Sequence, residues 1–362
     1  MPPLQGPVII VGAGPVGLTL ALALHVRGIP VVVLEQRPDL PRDLRATTLQ
    51  PAVLELLDAL GVLERLQSRA HRVDRVRWYD GDRPVRIADY GLLIDATTHP
   101  YRLHVSQWEL CAVLLEHLPP GTVYWDRRAV GFETIDDRVA VTLDDRTRLY
   151  GSWLVGSDGV GSTVRTLAGI PVDTGATHAY GSFSAGPSLA DHLPHGADCA
   201  YFHEGAAWTL VMRMHDSFRV LFGLPEGAPA ASVVRGDWRH HLVGPARTAP
   251  LPDASGHRAF VLQSRLAHTF RRGRVLLAGD AAHTTFAAGG NALNTGLLDA
   301  GLLARALHAD EPDLVYAYGR ERPRALEAAV LGTGPWTPRE GVPWNEAIQP
   351  RELLLGISLL AA

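Results

Sequence analysis

The sequence contains 34 arginines and no lysine. This absence excludes any mechanism that needs a Schiff-base lysine. Cysteine is nearly as scarce, with only Cys111 and Cys199, so at most one disulfide can form. Neither a disulfide scaffold nor a cysteine-based metal site is therefore expected. Such sparse cysteine usage is typical of a reducing compartment and predicts a cytoplasmic location.

Excess positive charge and membrane-length apolar runs are also missing. The formal net charge of −4 offers no electrostatic footprint for nucleic acid. Glycines interrupt the apolar stretch that begins at Val8, and no basic region precedes it, so it is predicted to be a strand rather than a signal peptide. Residues 353–362 are apolar but too few to span a bilayer, and we expect a terminal helix packed on the body or on a partner subunit. We therefore expect no nucleic-acid or membrane partner, and the oligomeric state stays open.

The first 37 residues have the pattern of a strand, a glycine turn, a helix and a second strand. Apolar runs predict a strand over residues 8–11, a helix over 18–26 and a second strand over 29–34. Gly12, Gly14 and Gly17 form G-x-G-x-x-G, which suits a tight turn against a pyrophosphate. Glu35 follows 23 residues after Gly12, where an acid that binds a ribose hydroxyl belongs. The pattern predicts dinucleotide binding, and the alternative is a glycine-rich turn in an ordinary α/β unit.

Two further segments border the predicted dinucleotide site. Arg37 and Arg45 lie on a proline-rich loop after the second strand. The two arginines either pair with the phosphate or adenosine of the dinucleotide or are solvated loop residues, and the sequence supports both interpretations equally. An amphipathic helix is predicted to begin at residue 51. Ser106 and Glu109 have the spacing of a capping box, which predicts a second helix with Gln107 in its first turn.

The middle of the chain is rich in alternating apolar residues. Residues 72–89 predict a β-hairpin about an Asp80-Gly81-Asp82 turn, and residues 178–260 predict an antiparallel meander. One face of the meander must cover something apolar. This face either packs as core against a helix or lines a substrate pocket, and the sequence supports the two interpretations equally. Candidates for the pocket, each equally suited to core or surface, are Tyr201, His203, Trp208 and Arg219.

Helix–strand units at both ends of the chain, with a meander between them, predict one discontinuous domain that carries an inserted sheet domain. The predicted first domain covers residues 1–71, 98–177 and 266–330. A β-sheet substrate domain is predicted over 72–97 and 178–265, and a C-terminal tail over 331–362.

Glycine and an acid occur together after three predicted buried strands. These three glycine-acid loops are Gly12 to Gly17, Asp158-Gly159 and Gly279-Asp280. Acids at the carboxyl ends of parallel strands point into the crevice where nucleotides bind. One such loop suits NAD, whereas three separated loops suit a longer ligand held extended across the sheet. FAD fits, because its ribityl chain needs a hydrogen-bond acceptor and its ring needs a flat slot.

The segments VGAGPVGL, GSDGVGSTVR and LLAGDAAH resemble, in order and separation, the three fingerprints of class A FAD-dependent monooxygenases, the para-hydroxybenzoate hydroxylase-like family. LRATTLQPAVLELL, VSQWEL and YGRERPRA add to the resemblance, which covers about residues 6–325. It implies an α/β fold: a Rossmann-like FAD-binding domain of the glutathione-reductase type, with an inserted antiparallel β-sheet substrate domain. The implied cofactor-binding residues are Gly12, Gly14, Pro15, Val16, Gly17, Glu35, Gln36, Arg37, Arg45, Gln107, Asp158, Gly159, Arg165, Gly279, Asp280, Gly290, Leu293 and Asn294.

The resemblance also implies roles for some of these residues. The first loop would cradle the pyrophosphate, and Glu35 would hold the adenosine ribose. Asp158, braced by Arg165, would serve both FAD and nicotinamide binding, and Asp280 would bind the ribityl chain. For both aspartates the alternative is an ordinary helix-cap or turn acid. A long helix is predicted to begin at about Leu293. Leu293 and Asn294 would offer backbone N–H groups to the flavin, where a helix N-terminus stabilises negative charge.

The implied reaction uses FAD, NAD(P)H as a transient reductant and O2. A flavin C4a-hydroperoxide would hydroxylate a hydrophobic aromatic or polycyclic small molecule, in secondary metabolism. Such chemistry needs few catalytic side chains, so no acid, base or metal ligand is nominated. Two alternatives stay open: an FAD-binding cyclase or isomerase without net redox turnover, and a non-catalytic small-molecule binder.

One loop departs from the family pattern. Relatives usually follow GDAAH with two prolines and a Gly-Gly-Gln-Gly turn, whereas this chain reads TTFAAGGNALN. Phe286 and Ala287 replace the prolines, Asn291 replaces the glutamine and Ala292 replaces the last glycine. Loss of the prolines relaxes the loop and Ala292 disfavours a positive φ, so we expect efficient oxygenation to be affected more than FAD binding.

Overall fold

The structure is a computed structural model that describes residues 6–42, 46–225, 238–287, 290–309 and 311–331. Arg45 and the predicted helix over residues 353–362 lie outside this part of the chain. The helices are α1 Pro15–His25, α2 Pro51–Ala59, α3 Leu63–Gln67, α4 Gln107–Glu116, α5 Thr163–Leu167, α6 Pro245–Thr248, α7 Asn291–His308 and α8 Pro312–Leu331. Within the described ranges, no helix is both long and apolar enough to cross a membrane.

The strands form four sheets and are numbered in chain order. They are β1 Val8–Val11, β2 Val31–Leu34, β3 Ala46–Leu49, β4 His71–Val73, β5 Arg75–Asp80, β6 Arg83–Asp89, β7 Arg102–Ser106, β8 Val123–Tyr124, β9 Ala129–Ile135, β10 Arg138–Leu143, β11 Arg148–Gly151, β12 Trp153–Gly156, β13 Val172–Ala185, β14 Cys199–Glu204, β15 Ala207–Arg213, β16 Phe218–Leu224, β17 Ser255–Ala267, β18 Arg271–Arg272, β19 Val275–Leu277 and β20 His283–Thr284.

The central sheet has the order β18-β19-β12-β1-β2-β8 and is parallel except at β18. The residues of β1 are all buried, as the apolar run predicted. Because β19, β12, β1 and β2 are consecutive in the sheet, the three predicted glycine-acid loops emerge side by side at one edge. Strand order alone therefore brings together segments that are more than 100 residues apart in sequence.

The second large sheet has eight strands in the order β20-β17-β13-β16-β15-β14-β5-β6. The predicted hairpin (β5 and β6) and the predicted meander (β14 to β16) are both confirmed. Alternation along the strands divides its aromatic residues between two faces. One face packs Phe183, Phe202 and Phe222 into a closed core, and the other carries Tyr180 and Tyr201.

Two of the predicted domain boundaries fall within long strands. β13 runs continuously through the boundary at 177/178, and β17 runs through the one at 265/266. These two strands pair along most of their length, so they join the region of the central sheet to the eight-stranded sheet. The division at those exact residues stays a prediction.

Two small antiparallel sheets complete the architecture, with orders β11-β10-β9 and β3-β7-β4. The segment before the predicted capping box is strand β7, which leads directly into α4. The Ser106 side chain accepts a hydrogen bond from the Glu109 backbone N–H at 3.1 Å, so the predicted cap is present. Gln107 thus begins α4 at the edge where the central strands end.

Candidate active site

A cavity of about 1170 Å³ lies between the ends of the central strands and one face of the eight-stranded sheet. It is larger than the roughly 300–1000 Å³ typical of sites for a single small ligand. The predicted site residues in its wall are Gly12, Gly14, Pro15, Val16, Glu35, Gln36, Arg37, Gln107, Asp158, Gly159, Asp280, Gly290 and Leu293. Gly17, Arg165, Gly279 and Asn294 instead lie just behind the wall, where they hold its loops.

The three glycines of the first loop are required for different physical reasons. A Cβ on Gly17 would lie 2.0 Å from the Gly12 carbonyl oxygen, and one on Gly12 would lie 2.6 Å from the Ser157 carbonyl oxygen. Those two positions are therefore closed by the protein itself, and Gly12 also has φ of +105°. At Gly14 a Cβ would meet nothing within 4 Å. The open space at Gly14 faces the cavity, where a ligand can approach the backbone.

Glu35 closes the end of β2 and is buried. Its carboxylate accepts hydrogen bonds from the backbone N–H groups of Ala13 at 2.9 Å and Arg37 at 3.0 Å. These bonds join the glycine turn to the end of the second strand. Because an ionised carboxylate has about four acceptor positions, it retains capacity for a ligand hydroxyl.

The second loop is held by its own acid. The Asp158 carboxylate accepts hydrogen bonds from the Ser162 hydroxyl at 2.5 Å and from the backbone N–H of Thr163 at 2.7 Å. These contacts are those of a turn acid at the start of α5, although Asp158 also borders the cavity. Arg165 donates to the carbonyl oxygens of Ala281 at 2.8 Å and Val160 at 3.0 Å, so it ties the second loop to the third.

The third loop depends on a buried cluster that sequence reasoning did not identify. A Cβ on Gly279, whose φ is +59°, would lie 2.8 Å from a Val16 methyl group. The Gly279 backbone N–H donates to Asp299 of α7 at 3.2 Å, and His283 and Arg322 contact the same carboxylate. Asp280 projects from this loop as an exposed side chain in the cavity wall.

The N-terminus of α7 lies beside the cavity. Gly290, with φ of +70°, precedes the helix, which begins at Asn291, two residues before the predicted start. Ala292 is consequently helical and needs no positive φ. The Asn294 side chain is fully buried and donates to the carbonyl oxygens of Thr48 and Gly290, both at 2.7 Å. Asn294 therefore fixes the start of the helix, while Leu293 reaches the cavity wall.

The eight-stranded sheet supplies the other side of the cavity. Its register places one row of cavity residues across five strands: Tyr201, Leu210, Leu221, Ser182 and Arg258. Of the four pocket candidates named from sequence, Tyr201 and Arg219 line the cavity. His203 and Trp208 are not among the described residues of the cavity wall. They form the next cross-strand pair on the same face of the sheet, beyond Tyr201 and Leu210.

Phe286, which replaces a family proline, is buried in the cavity wall. Its ring packs edge-on against His178 with a centroid separation of 4.8 Å. The side chain thus adds an apolar surface where the loop after β20 meets the sheet. Arg102 of β7 is a further wall residue that sequence reasoning missed, because only strand register brings it to this cavity.

Arg102 makes the region around it electropositive. Its guanidinium donates to the hydroxyls of Thr48 at 3.1 Å and Tyr90 at 3.4 Å. Burial, together with the positive charge of Arg102, lowers the pKa of His104 to about 3, so that imidazole is neutral. Burial also raises the pKa of Tyr90, which keeps the phenol protonated.

Comparisons with known proteins agree with this geometry. The family described as "FAD binding domain" matches residues 5–332. Para-nitrophenol 4-monooxygenase of Pseudomonas sp. (strain WBC-3) is 33% identical over 325 residues, which cover 83% of this chain and 77% of that protein. A flavin-dependent monooxygenase of Mycobacteroides abscessus is 32% identical over 357 residues, covering 90% of this chain and 72% of that protein.

A solved structure is also similar. The crystal structure of p-nitrophenol 4-monooxygenase PnpA from Pseudomonas putida DLL-E4 has a TM-score of 0.79 and 28% sequence identity. The similarity covers 91% of this chain and 90% of that chain. It extends over both the central parallel sheet and the eight-stranded sheet.

Proposed function

The chain belongs to the FAD-binding-domain family of flavin-dependent monooxygenases, and from this we propose that it uses FAD, NAD(P)H and O2 to hydroxylate an aromatic small molecule. The observation that carries the proposal is one continuous cavity, which runs from the three strand-end loops to the aromatic face of the eight-stranded sheet. A dinucleotide cofactor and a substrate can both occupy a cavity of this size.

The residues of the strand-end loops suit FAD. The backbone at Gly14 is open to the cavity, whereas Gly12 and Gly17 are closed by neighbouring protein atoms, so Gly14 is the position where a pyrophosphate can approach. Glu35 and Asp280 line the same cavity, where Glu35 would accept a bond from the adenosine ribose and Asp280 would bind the ribityl chain. When bound, FAD would supply the redox chemistry, with NAD(P)H as the reductant and O2 as the source of the transferred oxygen atom.

The protein's own contribution is to bind, orient and exclude water. The N-terminus of α7 borders the cavity at Ala292 and Leu293, and a helix N-terminus favours negative charge. Tyr201, Phe260 and Phe286 supply apolar walls on the substrate side. We assign no side chain as a general acid or base.

An aromatic substrate is supported by what related proteins act on. The relatives include a para-nitrophenol 4-monooxygenase and an anhydrotetracycline monooxygenase of Streptomyces rimosus. Both names specify aromatic rings that carry oxygen substituents. We also propose a cytoplasmic location, because the sequence has only two cysteines, Cys111 and Cys199, and both are buried.

The test is a turnover experiment on the purified FAD-loaded protein. Oxidation of NADH and NADPH is followed with and without each member of a panel of phenols, and products formed under ¹⁸O₂ are analysed by mass spectrometry. We expect one aromatic compound to stimulate NAD(P)H oxidation and to gain one ¹⁸O atom. Product formed without O2 and without NAD(P)H would instead indicate an isomerase or cyclase, and failure to retain FAD would overturn the proposal.

A further inference from the structure

Arg102 is a buried cation in the wall of the cavity. Only 5% of it is exposed, and its guanidinium donates to the uncharged hydroxyls of Thr48 at 3.1 Å and Tyr90 at 3.4 Å. Within the described part of the chain, its Nε has no hydrogen-bond partner. A buried guanidinium is costly unless an anion compensates its charge. The question is therefore which group supplies negative charge at this position.

The titratable groups that act most strongly on Arg102 do not supply it. They are two phenols and a thiol, those of Tyr90, Tyr201 and Cys199. Burial raises the pKa of the Tyr90 hydroxyl and of the Cys199 thiol, so both are protonated and uncharged at neutral pH. A group bound in the cavity is positioned to provide the missing negative charge.

Thr48 connects Arg102 to the start of α7. A Cβ on Gly290 would lie 3.1 Å from the Thr48 Cβ, so the backbone before the helix packs on this threonine. The Asn294 side chain donates to the Thr48 carbonyl oxygen at 2.7 Å. The residues Thr48, Arg102, Gly290 and Leu293 all line the cavity. The guanidinium and the helix N-terminus therefore share one patch of its wall.

A second series of hydrogen bonds leads from Arg102 to the same helix end. The Tyr90 hydroxyl donates to the Gln50 side-chain oxygen at 2.9 Å, and the Gln50 backbone N–H donates to the Asn294 side-chain oxygen at 2.8 Å. Gln50 and Asn294 are both buried. Because two separate routes join Arg102 to Asn294, the charge is held at a fixed position relative to the start of α7.

The arginines at the opposite end of the cavity have a different environment. Arg37 and Arg127 are exposed, and their backbone N–H groups donate to the Glu35 carboxylate and the Glu35 carbonyl oxygen, respectively. Water and salt screen an exposed charge, whereas a buried charge acts through a medium of lower dielectric constant. Of these three arginines, Arg102 therefore has the strongest effect on a bound group.

We propose that Arg102 stabilises the negative charge that the flavin ring of FAD acquires when it is reduced. The inference deepens the proposed function and rests on it, because it takes the flavin ring to lie at the start of α7. Transfer of a hydride from NAD(P)H leaves NAD(P)⁺ and a reduced flavin that carries one additional negative charge. A helix N-terminus offers about half a positive charge to that anion, and Arg102 adds a full one.

The experiment measures the two-electron midpoint potential of the flavin in the FAD-loaded protein, by titration with dithionite against a reference dye and without any substrate. Arg102→Met removes the charge and keeps a long side chain. It should destabilise the reduced flavin roughly tenfold or more, which is a fall of about 30 mV in the potential. Arg102→Lys keeps the charge and should lie closer to the wild type. Arg102→Gln makes the same charge change and replaces Arg102→Met if that variant does not fold.

Arg213→Gln is the matched control. Arg213 is exposed on β15 and pairs with Asp198 at 3.3 Å, so this variant makes the same change in net charge and should leave the potential unchanged. Flavin absorbance and circular dichroism establish that each variant is folded and loaded. A potential in Arg102→Met that equals or exceeds that of the wild type would overturn the proposal, as would an equal fall in Arg213→Gln.

The outcome is separable from that of the turnover experiment. A protein that hydroxylates a phenol, but whose potential does not change in Arg102→Met, would overturn the role of Arg102 and leave the proposed function intact. A lowered potential supports the role of Arg102 even if no phenol in the panel is hydroxylated. Failure of the wild type to retain FAD would overturn both proposals.

Discussion

His283 and Asp299 form a fully buried hydrogen-bonded pair, with His283 Nε2 only 2.6 Å from an Asp299 carboxylate oxygen. The other carboxylate oxygen accepts from Arg322 Nε of α8 at 2.8 Å. Burial alone would raise the pKa of Asp299, but its electrostatic interactions and hydrogen bonds with His283 and Arg322 outweigh burial and lower the pKa. Asp299 thus joins two C-terminal helices to the loop that carries Asp280.

Replacing Asp299 by Asn should destabilise the protein. The substitution leaves Arg322 buried without its charge partner, which typically costs about 3–5 kcal/mol. Urea unfolding at neutral pH measures the change in the free energy of unfolding. Glu327→Gln on the exposed side of α8 is the control and should stay within about 0.5 kcal/mol of the wild type. An Asp299→Asn variant as stable as this control would contradict the role of the cluster.

The contribution of Asp299 should depend on pH in one direction. Because folding lowers the pKa of Asp299 from 3.8, its ionised form stabilises the folded state at every pH above that value. The stabilisation is lost as pH falls through the folded-state pKa, since the folded carboxylate is then protonated. Unfolding curves at a series of acidic pH values should show the gap between wild type and Asp299→Asn shrinking below about pH 4. A gap that stays constant to the lowest pH would refute this.

The glycines of the first loop should respond differently to alanine. Gly17→Ala places a Cβ 2.0 Å from a backbone oxygen, so we expect loss of stability with or without cofactor. Gly14→Ala meets no protein atom within 4 Å and has an ordinary φ of −76°, so the apoprotein should unfold like the wild type. Its FAD affinity should nevertheless fall roughly tenfold or more if the pyrophosphate contacts this backbone. Fluorescence titration of apoprotein with FAD measures this, and unchanged affinity in Gly14→Ala would place the pyrophosphate elsewhere.

Phe286 should affect how efficiently reduction is coupled to hydroxylation. Phe286→Ala removes a ring from the cavity wall and admits water, whereas the cofactor loops of the central sheet are untouched. We expect unchanged FAD affinity. Most of the electrons taken from NAD(P)H should then appear as hydrogen peroxide in place of hydroxylated product. Simultaneous assays of NAD(P)H, peroxide and product measure the partition. Phe286→Leu keeps an apolar side chain and should remain closer to the wild type; full coupling in Phe286→Ala would count against this role.

Much of the cofactor end of the site follows from local sequence. The strands before Gly12, Asp158 and Asp280 are short apolar runs, and parallel strands with such runs end at a common edge. Ser106 caps α4 as its spacing predicted, because a cap depends only on residues a few positions apart. The start of α7 was predicted two residues late, since Gly290 ends the preceding loop in a left-handed conformation.

The sequence by itself thus determined the element types, the order of the loops and the family, which depend on neighbouring residues and on ordered motifs. Tertiary structure alone decided the substrate side of the cavity and the support behind it. Arg102 and Arg219 are 117 residues apart, and only strand register brings both to one wall. Asp299 is a mid-helix acid without a local signal, and its importance arises from burial beside His283 and Arg322. Register and burial are properties of the whole packed chain, so no local pattern predicts them.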